Sequence, residues 1–160
     1  MNKKIFIEHY QTYYDRVYRA GYAWLRNPHE AEEVAQETFL KLWKREEKFQ
    51  TMQHMEAWLI TVACNQAKNI LRRFDHREVE NFSEEFDGAV QSDVYKMYFW
   101  ESMMALREEE RTALYFYYFE GYKIKEIAKM MDMNENTIKT HLQRGRKALR
   151  LELGGQDETF

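Results

Sequence analysis

The sequence predicts an all-α protein: two small helical domains joined by an acidic linker, the C-terminal domain carrying a helix-turn-helix. Three observations predict this. One proline and six glycines among 160 residues favour long helices and few turns. Apolar side chains recur at i, i+3 and i+4 through most of the chain. Charge is uneven: residues 1–75 hold twelve basic and ten acidic side chains, residues 76–105 two and seven, and residues 106–153 ten and eight. Two nearly balanced segments therefore flank an acidic one. With 44% hydrophobic and 16% aromatic residues, each segment can bury a core.

The expected divisions are a domain over 1–75, a linker over 76–94, a second domain over 95–153 and a tail over 154–160. Phe6, Tyr10, Tyr13, Tyr14, Val17, Gly21, Trp24 and Leu25 form the stripe of a first helix. Asn27-Pro28-His29-Glu30 starts a second, with Asn27 as N-cap, Pro28 at the first helical position and Glu30 three residues after the cap. Its inner side is Ala31, Val34, Ala35, Thr38, Phe39 and Leu42; another face shows Glu33, Gln36, Glu37, Leu40 and Lys44. Periodicity lapses over residues 46–55, which read as a loop. A third helix is expected from about Glu56 to Arg73, with Leu59, Val62, Ala63, Gln66 and Ile70 inward and Thr61, Asn65, Lys68, Asn69, Arg72 and Arg73 outward.

Residues 74–92 are acidic and polar, with few large apolar residues, and form the linker. A helix resumes near Val94 through Tyr98, Met103 and Leu106. Arg111 to Glu120 is another, rich in rings and ended by Gly121. Then comes a helix with Ile124, Ile127, Ala128 and Met131 on one face, a break at Asp132 to Glu135, and a basic helix with Asn136 as expected N-cap. That last helix turns Ile138, Leu142 and Leu149 inward and Lys139, Thr140, Gln143, Arg144, Arg146, Lys147 and Arg150 outward. From Asn134 to Arg150 there are five Lys/Arg and one acid, in a chain of net charge −3. A short apolar helix beneath a basic one is the helix-turn-helix arrangement, whose second helix can enter the DNA major groove while its cations meet phosphates.

Several classes are disfavoured. No apolar run approaches the ~20 residues of a membrane span. Met-Asn-Lys-Lys-Ile-Phe-Ile-Glu-His has basic residues but no continuing apolar stretch, unlike a signal peptide. The single Cys64 excludes an internal disulfide and suits a reducing cytosol. The five histidines are scattered, without metal-ligand spacing, and there is no phosphate-binding loop or nucleophile elbow. No metal, no cofactor and no enzymatic activity are expected.

Three segments together carry a resemblance. Glu32-Glu33-Val34-Ala35-Gln36-Glu37-Thr38-Phe39-Leu40-Lys41-Leu42-Trp43 resembles the polymerase-binding helix of bacterial sigma factors. Ala57 to Arg73 looks like their promoter-melting helix, and Leu106 to Arg150 like their C-terminal promoter-binding domain. Size and layout resemble the extracytoplasmic-function (ECF) class of the sigma-70 family. The resemblance implies that Glu33, Gln36, Glu37, Leu40 and Trp43 meet core RNA polymerase. It also implies a pocket for a flipped minus-ten base formed by the loop from Phe49 to Met55 beside Asn65 and Asn69, with Lys68, Arg72 and Arg73 holding phosphates. The minus-thirty-five element would fall to Thr137, Lys139, Thr140, His141, Gln143, Arg144 and Lys147. Implied partners are core RNA polymerase, promoter DNA and an anti-sigma factor, in the bacterial cytoplasm with no membrane insertion.

Departures from the family pattern fall mainly in the helix-turn-helix. Asp132 stands where glycine is common, Asn134-Glu135-Asn136 replaces Pro-x-Gly, and Gly145 stands where alanine is usual, at a cost of ~1 kcal/mol in a helix. Arg107 replaces a frequent proline and Asn69 a frequent aspartate. The alternative is a response-regulator-type (LuxR-like) factor, which Asn134 to Leu142 would suit and which binds DNA without melting it. Residues 1–75 read as entirely helical, unlike the α/β domain such a factor carries.

Overall fold

The computed structural model describes residues 1–73 and 100–152, with side chains through Arg150. The expected linker, the start of the helix near Val94 and the tail lie outside the described residues. The chain divides into two compact units, Met1–Glu80 and Asn81–Phe160. All regular structure among the described residues is helical.

The first unit packs three helices: α1 (Lys3–Leu25), α2 (Pro28–Lys44) and α3 (Met52–Arg73). Asn2 caps α1, its Oδ1 accepting from the Ile5 amide at 2.9 Å. Arg26 then adopts the left-handed conformation (φ 54°), and its amide donates to the Tyr22 carbonyl at 2.8 Å. Asn27 caps α2 as expected, accepting from the Glu30 amide at 3.0 Å. The two helices come close at Gly21, where an added Cβ would lie 3.1 Å from Val34 Cβ and Cγ1. The inner side of α2 is the expected one: Ala31, Val34, Ala35, Thr38, Phe39 and Leu42 are all buried.

Two expectations for this unit need correction. Helix α3 begins at Met52, not near Glu56, because the Thr51 hydroxyl accepts from the His54 amide at 3.0 Å and starts the helix. Its buried side is Met55, Leu59, Ile60, Ala63, Cys64, Ala67 and Ile70. Val62 and Gln66, expected inside, are only half-buried. A helix held by two neighbours buries a wider arc than one stripe, which admits Ile60, Cys64 and Ala67. Cys64 is fully buried, and that burial pushes its thiol up to about 12.

In the second unit, residues 100–103 are helical and bury Trp100 and Met103. They precede α4 (Glu108–Leu114), which continues into a π-helical turn, Tyr115–Phe119. Helix α4 starts three residues before the expected Arg111. The π turn has no counterpart in the helical periodicity of Arg111 to Glu120. It brings the rings of Tyr115 and Phe119 within 5.9 Å of one another, and both meet Trp100 edge-on at 5.6 Å. Arg111 is buried, its guanidinium donating to the Leu106 carbonyl at 2.7 Å. Gly121, at φ 71°, makes the turn into the final pair, α5 (Ile124–Met131) and α6 (Glu135–Glu152).

Candidate nucleic-acid interface and partner face

The α5–α6 pair is a helix-turn-helix with a three-residue turn. Helix α5 opens with the Lys123 amide donating to Glu126 Oε1 at 3.0 Å. It buries Ile127, Ala128, Met130 and Met131. The turn is closed by two bonds, Asp132 N–H to the Lys129 carbonyl (3.3 Å) and Met133 N–H to the Ala128 carbonyl (2.9 Å). Asp132 is left-handed, φ 55°, which explains in physical terms why glycine suits this position. The cap of α6 is Asn134, not the expected Asn136: its Oδ1 accepts from the Thr137 amide at 2.8 Å and from the Thr137 hydroxyl at 2.9 Å. Either asparagine carries a suitable side chain, and the choice follows from where the Schellman-type closure ends α5.

Helix α6 turns Ile138, Leu142, Gly145 and Leu149 inward. Gly145 packs against α4: a Cβ there would lie 2.6 Å from Leu114 Cδ1 and 3.1 Å from its Cγ. The glycine therefore lets α6 lie close against α4. Lys139, Gln143, Arg144, Lys147 and Arg150 are exposed, and Thr137, Thr140 and His141 are partly so. Thr137, Thr140, Arg144 and Lys147 follow one another at i, i+3, i+7 and i+10, along one side of the helix. One residue departs from the outward row. The Arg146 Nε donates to the Tyr118 hydroxyl at 2.7 Å, and its guanidinium lies 5.7 and 5.6 Å from the Tyr117 and Tyr118 rings. It thus ties α6 to the π turn. His141 Nδ1 is shielded from solvent without a hydrogen-bond partner among the described residues.

In the first unit, Asn65, Asn69, Arg72 and Arg73 are exposed on α3. Lys68 is half-buried, its Nζ 5.5 Å from the Trp24 ring. Asn65, Asn69 and Arg72 share a face at i, i+4 and i+7. Phe49 does not join that row. Its ring meets Trp58 at 5.4 Å and His54 at 5.5 Å, and Arg45 covers Phe49 at 4.5 Å and Trp58 at 5.1 Å. Asn65 and Asn69 lie roughly 10 and 16 Å further along α3 than Trp58, at 1.5 Å per residue. The ring cluster and the asparagine row are thus two neighbouring features of one helix. Arg45 and Trp58 were missed as members; the spacing of a cation and two rings across a loop gave no periodic signal.

The opposite feature of this unit is an apolar groove of about 520 Å³ between the start of α1 and the end of α2, lined by Phe6, Ile7, Tyr10, Phe39, Leu40 and Trp43 among others. Leu40 is 43% and Trp43 45% exposed. Glu33, Gln36 and Glu37 are exposed beside them. Glu33 also makes a 3.5 Å ion pair with Arg73, both ends well exposed, where such pairs contribute little. The α1 residues of this groove were absent from the expected site, since Phe6 and Tyr10 read only as helix core. Exposed large apolar side chains grouped in this way mark an interaction surface.

A basic helix-turn-helix in one unit and an exposed apolar groove, edged by Lys3 and Gln36, in the other define a DNA-binding transcription factor that also engages a protein. Comparison with known proteins makes this specific. Residues 9–77 match the family described as Sigma-70 region 2, and residues 96–149 match Sigma-70, region 4. The chain is 26% identical over 158 residues to the ECF RNA polymerase sigma factor SigW of Bacillus subtilis (strain 168), covering 88% of this chain and 84% of that one. It is 29% identical over 152 residues to SigM of the same organism, also an ECF RNA polymerase sigma factor, covering 89% and 91%. Its fold is similar to the sigma factor RpoE from Bartonella quintana, solved with the anti-sigma factor NepR (TM-score 0.73, 20% identity, 97% of this chain and 99% of that one). The chain belongs to the ECF class of the sigma-70 family, transcription initiation factors that direct RNA polymerase to particular promoters. Among the described residues, no helix is long and apolar enough to cross a membrane.

Proposed function

We propose that this sigma factor binds core RNA polymerase through α2, melts the minus-ten element along α3 and reads the minus-thirty-five element with α6. The observation that carries the reading is the exposed Leu40 and Trp43 beside the apolar groove, in a chain whose other unit presents a basic helix-turn-helix. A free regulator needs no such face, whereas a subunit of a larger enzyme does.

In this reading residues 1–75 form the polymerase-binding and melting domain. Glu33, Gln36 and Glu37 make a polar rim around Leu40 and Trp43, as at protein interfaces generally. Melting must offset about 1.4 kcal/mol for each stacking step lost. Asn65 and Asn69 can read the edges of unpaired bases, while Lys68, Arg72 and Arg73 hold the displaced backbone. The Phe49 and Trp58 rings, beneath the planar Arg45, provide an aromatic surface next to that row.

Residues 95–153 anchor the upstream element, with Thr137, Lys139, Thr140, His141, Gln143, Arg144 and Lys147 facing the groove or its phosphates. The acidic segment over 76–94 joins the two domains. About 20 residues span up to ~70 Å, and promoter elements about one and a half turns apart lie ~50–55 Å from one another. Both domains can then engage together, each weak alone. A sigma factor of similar fold is solved with an anti-sigma factor, and an anti-sigma partner that covers the α1–α2 groove would block polymerase. The site of action is the bacterial cytoplasm, where polymerase and promoter are.

Two paired variants test the assignment. Lys139→Ala with Arg144→Ala should abolish promoter selectivity and leave pull-down of core polymerase intact. Glu37→Lys with Leu40→Asp should abolish pull-down. Full-strength capture of core polymerase by the second variant would refute the α2 interface.

A further inference from the structure

The two threonines of α6 have their hydroxyl protons occupied within the helix. The Thr137 Oγ1 donates to Asn134 Oδ1 at 2.9 Å, and the Thr140 Oγ1 donates to the Asn136 carbonyl at 3.0 Å. A threonine hydroxyl has one proton and two lone pairs. With its proton held, it can offer an outside partner only an acceptor, beside its methyl group. Thr137 is in the first turn of α6, where helix-turn-helix proteins contact base edges, and Thr140 is one turn on along the same side. Thr140 lies on the far side of the helix from the buried Ile138 and Leu142.

We propose that Thr137 and Thr140 determine specificity in the upstream promoter element as acceptor-only readers, selecting base edges that carry an exocyclic amine. Asn134 acts as the positioning residue for Thr137. In the major groove the amines are adenine N6 and cytosine N4; guanine presents N7 and O6 and thymine presents O4, all acceptors that an acceptor-only oxygen cannot pair with. Lys139, Gln143 and Arg144 remain free to read other edges or phosphates. Asn134 has two linked tasks: its one oxygen caps the helix through the Thr137 amide and also sets the direction of the hydroxyl. The inference rests on the proposal that α6 reads promoter DNA.

The test is enrichment of duplexes from a library randomised over the upstream element, captured by core polymerase carrying the full-length chain. Wild type should enrich adenine and cytosine over guanine and thymine at two positions of the same strand, one for each threonine. Replacing an enriched adenine by purine, which lacks the amine, should lower affinity about 2- to 13-fold, the range of one net hydrogen bond. Thr137→Val and Thr140→Val keep the methyl and shape but lose the acceptor; each should become indifferent to that replacement at one position. Asn134→Gly retains a competent cap but frees the Thr137 hydroxyl to donate, so enrichment at its position should broaden to guanine and thymine. Asn134→Asp keeps the acceptor and should retain the wild-type preference. Amine selection that persists unchanged in both valine variants overturns the proposal, as does an Asn134→Gly profile identical to wild type. Absence of any upstream enrichment by wild type would instead refute α6 as the promoter reader.

Discussion

Replacing Gly145 by alanine should destabilise the second unit, although glycine in mid-helix ordinarily costs stability. Alanine would recover ~1 kcal/mol of helix propensity. Against this stands the contact with α4: the new Cβ would sit 2.6 Å from Leu114 Cδ1 and 3.1 Å from Cγ. Both are side-chain atoms of a fully buried leucine, so relief requires a rotamer change in a packed core or a shift of α6. Overpacking of this kind costs ~1–3 kcal/mol. The net expectation is a loss of up to ~2 kcal/mol, read as amide exchange in α4 and α6 faster by up to ~30-fold, since 1.4 kcal/mol is a factor of ten. A second background separates the terms. Leu114→Ala alone should cost ~2–5 kcal/mol through the cavity it leaves. Within that variant, Gly145→Ala should slow exchange, because the clash is gone and propensity remains. If Gly145→Ala slows exchange in the otherwise wild-type protein, the close α4–α6 approach is not what selects glycine.

Three further outcomes are expected. Asp132→Gly should stabilise the turn by ~1 kcal/mol, because Asp132 holds a left-handed φ of 55° that costs an L-residue about that much; a thermal melt reads this as a rise in Tm. Asn27→Ala should cost ~1 kcal/mol and fray the start of α2, since the Glu30 amide at 3.0 Å loses its acceptor; exchange of the first α2 amides checks it. Burial holds the Cys64 thiol at about 12, above its ordinary 9.0. The neutral thiol therefore stabilises the fold fully below pH ~9, and that contribution falls as pH rises from there toward 12, with a slope that approaches ~1.4 kcal/mol per unit. The difference in unfolding free energy between wild type and Cys64→Ala, followed from pH 8 to 10.5, should change little up to pH ~9 and then shrink toward that slope; a difference that stays flat to pH 10.5 would contradict a buried neutral thiol.

What could be read from residue order was whatever repeats along one helix. The inner side of α2 is identical to its apolar stripe, and Asn27-Pro28 marks its start because an asparagine cap and a proline at the first position are both local chemistry. The helix-turn-helix was legible for the same reason. Features set by neighbouring elements were not. Thr51 caps α3 within a stretch that lacks periodicity, so four residues of helix carry no helical signal. Asn136 and Asn134 are equivalent in composition, and only the bonds from Asp132 and Met133 back into α5 decide between them. Gly145 looked like a local defect and is instead a contact with Leu114, distant in sequence. In the partner face, Leu40 was visible as a lone apolar residue among acids. The groove behind it was not, because Phe6, Ile7 and Tyr10 come from another helix. The π turn is similar: five successive aromatic residues read as helix, and their packing on Trp100 is a property of the folded unit.

The central claim is that this chain gives core polymerase a promoter and opens it. The direct measurement is abortive transcription by purified core RNA polymerase, with and without the chain, on promoters identified by sequencing transcript starts after overexpression. Permanganate reactivity of unpaired thymines on the same templates reports melting. Short transcripts and reactive thymines around the minus-ten element should appear only when the chain is present, with both lost in the Glu37→Lys, Leu40→Asp variant. Specific binding of the chain alone to a palindromic site, with neither transcripts nor reactive thymines from added polymerase, would contradict it.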